Sequence, residues 1–298
     1  MPIARPERRD DRSKGLALAT AGIVALSPES LLIRLVAADR WTVVFWRGLF
    51  LAIALLGGVA VRSGDRIKRI GKAGLLIGVM LGSQSVLFVY SITNTTVANT
   101  LVALSAAPLV TALIERILFG QRPPRRTWLF IGLAMAGITI MFTGTLGGGH
   151  MIGNLAALLA SAGYGGVLVV IRRNRDVSMV PAIGFSGLVQ LLLVSPLADP
   201  LSASISDLRY LALSGLVVLP LGFGLLSIAP RFAPAPEVGL VTLLETVLGP
   251  FWVWLALGEQ PGLWPLIGGV VVIAAVAGNS VLPLKRPIPV QGEGVRGR

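Results

Sequence analysis

A 298-residue chain with 54% hydrophobic and only 13% charged residues, at a mean hydropathy of +0.80, is far more apolar than a soluble domain, where about a quarter of residues are charged. It reads as an integral membrane protein whose partners are the lipid bilayer and a small molecule; the net charge of +12 predicts no nucleic-acid binding, because in such a chain the placement of charges outweighs their sum. The absence of cysteine and the presence of one histidine, His150, exclude disulfides, thiol nucleophiles, haem and the usual zinc sites, so neither metal nor cofactor is expected.

In chain order, a basic head over residues 1–14 precedes an apolar run at 15–36. That run is too long for the core of a signal peptide and ends in no small-residue cleavage site, so it is an uncleaved first span. Further windows of about 20 apolar residues, enough to cross the hydrocarbon core as helix, fall at 41–61, 72–92, 98–118 and 127–145. A glycine-rich outer linker follows over 146–152. Five more windows stand at 153–171, 180–198, 208–228, 236–256 and 264–282, and a Pro/Gly-rich charged tail, 283–298, is expected to be disordered. The runs are continuously apolar rather than alternating, which excludes a barrel. The fold expected is an all-α membrane protein of ten transmembrane helices.

All but four of the 26 Lys and Arg fall on one side of this topology, with Arg40 and Arg209 opposite and Arg34 and Arg47 inside spans. By the positive-inside rule both termini are cytoplasmic. The connections are short, so function must reside within the bundle.

A shift of 138 residues lays TVANTLVALSAAPLVTALIERILFGQRP, 96–123, over PAPEVGLVTLLETVLGPFWVWLALGEQP, 234–261, with Gly120 on Gly258 and Pro123 on Pro261. Two five-helix repeats, 15–145 and 153–282, follow. Because five is odd, the second enters from the opposite face, an inverted repeat with a site expected near the midplane.

Charged side chains inside a membrane cost about 2.5 to 3.5 kcal/mol on insertion scales and therefore seek a partner or a cavity. Glu29, in SPESLL, and Arg47, at comparable depth in the second span, are expected to form a buried ion pair, with Arg34 as the competing partner and gating or proton coupling as the other role. Glu245 lies about nine residues into the ninth span, roughly 13 Å deep, with no basic residue expected at that level. It forms a helical stripe with Val238, Thr242 and Gly249, and the repeat counterparts of Val238, Thr242, Glu245 and Gly249 are Thr100, Leu104, Ala107 and Thr111. Either Glu245 faces a central cavity and receives an amino group or a proton, or it is a hydrogen-bonded acid that locks the helix. Gln84 and Phe88 of the third span and Tyr164 of the sixth are candidates for the amide and aromatic walls of that cavity; the other reading of each is packing. The candidate substrate-binding set is therefore Glu245, Thr242, Gln84, Phe88, Tyr164, Thr100 and Pro108. Trp41, Trp46, Trp252, Trp254 and Trp264 read as interface anchors. Small-residue pairs, Gly78 with Gly82 and Gly132 with Ala136, read as packing within one monomer rather than a dimer seam.

The FWRGLFLAIALL around Arg47, the ALSAAPLVTALIERILFGQRP around Pro108 and the LLETVLGPFWVWLALGEQP around Glu245 resemble the drug/metabolite transporter superfamily in its EamA branch, over residues 15–282. Within that branch the last motif is most similar to YddG-type exporters of aromatic and other bulky amino acids. Family members often carry Glu-Pro where this chain has Glu245–Thr246, which moves the expected helix break to Pro250. The resemblance implies a transporter of the bacterial inner membrane that exports amino acids or similar metabolites by alternating access. A drug or other metabolite carrier is the alternative, and a lipid-translocase subunit or scaffold a third. An enzyme is not expected, because no nucleophile–base set or metal set stands in the spans.

Overall fold

The structure, a computed structural model, describes residues 9–58, 71–95, 97–121, 123–141, 151–258 and 262–281. His150, positions 146–150 of the linker, the tail 283–298, residues 1–8 of the head and most of the basic loop at 62–72 lie outside the described residues. The described residues are helical, and helix stands at each of the ten apolar windows. In the first half these are α1 (Arg9–Leu26), α2 (Glu29–Arg34), α3 (Arg40–Ala52), α4 (Gly71–Asn94), α5 (Val97–Leu104), α6 (Ala107–Phe119) and α7 (Arg125–Met141). The second half comprises α8 (Met151–Arg173), α9 (Val180–Val194), α10 (Ile205–Leu213), α11 (Leu219–Ile228), α12 (Ala235–Thr242), α13 (Glu245–Leu257) and α14 (Leu263–Val281). Two π-turns, Ile53–Gly57 and Ser214–Val218, prolong α3 and join α10 to α11.

Among the described residues, eight helical runs are long and apolar enough to cross a bilayer, some of them formed by two of these helices in line. The helices in the fifth and seventh windows are shorter, at 17 and 15 residues. Leucines and isoleucines such as Ile117, Leu129 and Leu255 stand exposed around the bundle, where a soluble protein would carry charge. The chain is an integral, multi-pass membrane protein. Its first helix begins at Arg9, inside the expected head, because Arg12 is buried in an ion pair with Glu237 rather than solvated.

The 138-residue offset extends to the backbone. α5 and α6 map residue for residue onto α12 and α13, and the interruptions at Ser105–Ala106 and Leu243–Leu244 coincide. Both second halves end on a left-handed glycine, Gly120 at φ 65° and Gly258 at φ 71°, the conformation that lets the chain leave a helix at no Cβ cost. Side-chain hydroxyls take up carbonyls that the breaks leave without helical partners: Ser105 Oγ donates to Val102 O at 2.6 Å, and Thr242 Oγ1 to Gly239 O at 2.7 Å. Pro250 does not make the break that its motif predicts. It sits inside α13, and the interruption comes earlier, where the Thr246 and Val247 N–H groups reach back only three residues, to Leu243 and Leu244.

The halves pack across one another in repeat-related pairs: α1 lies on α11 as α4 lies on α8, while α3 meets α9, α6 meets α12 and α7 meets α14. Glycines make the closest crossings. A Cβ on Gly22 would lie 3.0 Å from Gly222 O, one on Gly48 2.7 Å from Gly187 O, and one on Gly137 3.0 Å from Gly268 O. Gly78 and Gly82 are likewise filled from within the chain, by Phe185, Val189 and the backbone of α9, whereas Gly132 faces open space.

Candidate functional site

Two broken helices meet at the centre of the bundle. The α1/α2 break at Ser27–Pro28 follows from proline's missing N–H, and the α12/α13 break at Leu243–Leu244 was described above. Each second half opens on a carboxylate, Glu29 at the start of α2 and Glu245 at the start of α13, the end of a helix whose dipole favours negative charge. α2 packs on α13. Gly249 admits it, since a Cβ there would stand 2.8 Å from Ser30 Oγ, and Trp252 Nε1 donates to Ser27 Oγ at 2.8 Å. Trp252 is thus a clasp between the two broken helices and not the interface anchor expected of it; Trp254 and Trp264 are exposed.

Glu29 is buried and pairs with the Arg47 guanidinium of α3. Ser214, opening the π-turn of the second half, donates to Glu29 Oε1 at 3.4 Å, at the long limit of a hydrogen bond. The π-turn presses on Arg47 itself: a Cβ on Gly215 would lie 3.1 Å from the Arg47 carbonyl oxygen. Such turns recur where a helix is locally adapted to function.

Glu245 is only half-buried, although the residues one turn to either side, Thr242 and Gly249, are buried. The charges acting on it are those of Glu29 and Arg47. Tyr164 of α8 completes the group: its hydroxyl feels Thr242 and the charge of Glu245. Gln84 of α4 lies alongside, its Cβ 3.4 Å from a Cβ placed on Gly163. Phe88 is half-buried one turn further along the same helix.

Two predicted residues are drawn elsewhere. The Thr100 hydroxyl shares a 2.7 Å hydrogen bond with Ser91, tying α5 to α4, and Pro108 is buried at the α6–α12 crossing against Gly239. Both stand at helix contacts, α5 on α4 and α6 on α12. A cavity of about 20 Å³ lined by Tyr164, Leu81, Ile183 and Phe223 lies beside the Glu245 group, with room for one water.

Sequence reasoning passed over Ser27 and Ser214, which carry no signal in an apolar helix, and read Trp252 as an interface anchor. It also passed over Glu115 and Glu237, which carry the signal that singled out Glu29 and Glu245, an acid inside an apolar window. Arg12 was counted as a topogenic charge only.

The model of the EamA-like transporter family matches the chain twice, over residues 13–143 and 151–281, at the same 138-residue offset as the helix boundaries. The uncharacterized transporter YdfC of Bacillus subtilis (strain 168) is 24% identical over 179 residues, and the match spans 58% of this chain and 58% of that protein. A crystal structure of a protein 16% identical in sequence superposes with a TM-score of 0.77, covering 89% of this chain and 96% of the other. At that identity the likeness speaks for the fold alone.

Proposed function

The chain belongs to the EamA-like transporter family and moves small molecules across a membrane, and from that premise we propose that it exports amino acids with aromatic or bulky apolar side chains. In this reading ten helices cross the membrane as two inverted repeats with both termini cytoplasmic. The 138-residue offset, the repeat-related helix pairs and the lopsided Lys and Arg distribution support it.

The observation that carries the substrate reading is Glu245, a half-buried carboxylate at the start of α13, one turn from the buried Thr242 and the buried Gly249. A carboxylate within an apolar span suits a ligand with an ammonium group. Tyr164 and Thr242 beside it offer hydroxyls, and Gln84 an amide, for the remaining polar atoms of such a ligand. Arg47 is held by Glu29, so it stabilises charge in the cluster without presenting a free cation to the substrate. The apolar walls beside Tyr164 fit an aliphatic or aromatic side chain. Their cavity is much smaller than the 300 Å³ or so of a ligand pocket, so loading requires the helices to part, as alternating access demands.

The test is uptake of labelled amino acids into liposomes containing the pure protein, beside the Glu245→Gln variant. Saturable uptake of phenylalanine or leucine, reduced at least about tenfold in Glu245→Gln as the charge-assisted contact is lost, is the expected result. Uptake of uncharged apolar drugs but no amino acid would replace this reading with a multidrug exporter. Full amino acid uptake by Glu245→Gln at every pH would remove Glu245 from the site.

A further inference from the structure

A second polar cavity stands apart from the central cluster, at the end of the bundle where α1, α7 and α12 begin and α6 and α8 end. It encloses about 140 Å³ and is lined by Glu115, Gln121, Thr127, Arg172 and Glu237 among four prolines. The prolines have no N–H, and the N–H groups of Gln121, Thr127 and Glu237 are already bonded to Glu115 O, Pro124 O and Pro234 O. Hydrogen-bond donors to an occupant must therefore come from side chains.

Two of those side chains each carry a buried oxygen without a hydrogen bond. Glu237 is wholly buried; its Oε2 accepts from Arg12 Nε at 2.8 Å, but its Oε1 has no hydrogen bond. Thr127 is 1% exposed and its hydroxyl is likewise unpartnered. A buried polar atom left unsatisfied is costly, and two on the wall of one cavity point to a polar occupant that satisfies them. Arg12 is already committed, donating also to Asn279 O at 2.6 Å and Ser280 O at 3.3 Å.

The charges decide the occupant's chemistry. A simple anion would meet the bare oxygen of Glu237 and the carboxylate of Glu115. A simple cation would meet Arg172, with Arg12 and Arg126 acting on the same site from behind Glu237. A head group bearing both signs escapes both penalties. We propose that this cavity is a second binding site, for the zwitterionic head group of an α-amino acid, with its ammonium on Glu237 Oε1 and Glu115 and its carboxylate on Arg172 and the Thr127 hydroxyl. The inference rests on the reading of the chain as an amino acid carrier. The ammonium takes Glu237 Oε1 while Arg12 keeps Oε2, so occupancy leaves the pair that joins α1 to α12 in place.

Equilibrium dialysis of labelled phenylalanine against the full-length protein in micelles tests it. The wild type is expected to saturate at two molecules per chain. Thr127→Val, which keeps the shape and loses the hydroxyl, weakens one site about tenfold, and Thr127→Ser restores it. Gln121→Leu, at an exposed position, weakens the same site and carries the test if Thr127→Val does not fold. Glu245→Gln removes the other site only. 3-Phenylpropionate and phenethylamine, each lacking one charge, compete at the second site at least about tenfold more weakly than phenylalanine. Saturation at one molecule per chain, abolished by Glu245→Gln, overturns the second site and leaves the amino acid reading standing. A second site unchanged in both Thr127→Val and Gln121→Leu overturns its location. Binding of no amino acid at all overturns both.

Discussion

Trp252 donates its indole N–H to Ser27 Oγ at 2.8 Å, and Ser27 passes its own proton to Val24 O at 2.9 Å. One side chain of α13 thus caps the last turn of α1 indirectly, and the two broken helices are clasped where their carboxylates meet. Trp252→Phe keeps the ring and loses the donor. It is expected to lower stability by about 1 kcal/mol, the worth of one hydrogen bond between neutral groups. Ser27→Ala should cost a similar amount and the double variant little more than either, as read by thermal unfolding in detergent. Additive losses would show that the two do not act through one bond.

The Glu29–Arg47 pair predicts a different pattern. Arg47→Met leaves a buried carboxylate with only the long Ser214 contact, and Glu29→Gln leaves a buried guanidinium. Each single change should cost about 3 to 5 kcal/mol. The double variant Glu29→Gln/Arg47→Met removes both charges and should recover much of that loss. A double variant as unstable as the sum of the singles would mean that the pair is not the reason for either cost.

The glycine crossings separate interior from lipid-facing positions. Gly268→Val forces a side chain into the Gly137 backbone and Met141, and should prevent a folded monodisperse protein. Gly132→Val, with open space around it, should be tolerated within about 0.5 kcal/mol. If Gly132→Val instead changed the oligomeric state on size-exclusion chromatography, the exposed face of α7 would be an interface between copies.

The repeat makes a quantitative prediction at two distant residues. Gly120 and Gly258 both hold positive φ with nothing near a would-be Cβ, so alanine at either introduces backbone strain without a clash. Each replacement should cost about 1 kcal/mol, and the two should add, since the sites are far apart in the chain and share no partner.

The absence of native cysteine makes topology measurable without background. Ser202→Cys, exposed between α9 and α10, should react with a membrane-impermeant maleimide in intact cells. Ser178→Cys, exposed between α8 and α9, should react only after the membrane is opened. The reverse pattern would invert the orientation drawn from the Lys and Arg distribution.

Much of this molecule was legible in one dimension. Spans are set by the length of apolar runs against the bilayer, and duplication leaves the same glycines at a fixed interval, so the ten windows and the 138-residue offset needed no coordinates. Glu29, Arg47 and Glu245 stood out because a charge in an apolar run is costly wherever the helix goes. What sequence could not supply is which faces meet. The break before Glu245 falls at Leu243–Leu244 rather than at Pro250 because hydrogen bonds and packing, not the proline alone, decide where a helix yields. Thr100 looked like the partner of Val238 in a lining stripe, yet its hydroxyl shares a hydrogen bond with Ser91. Arg12 looked like one more cytoplasmic charge until the fold carried α12 past it and buried the pair it forms with Glu237. Helix periodicity is a property of one segment, whereas a site belongs to several segments that only the packed bundle brings within a hydrogen bond of one another.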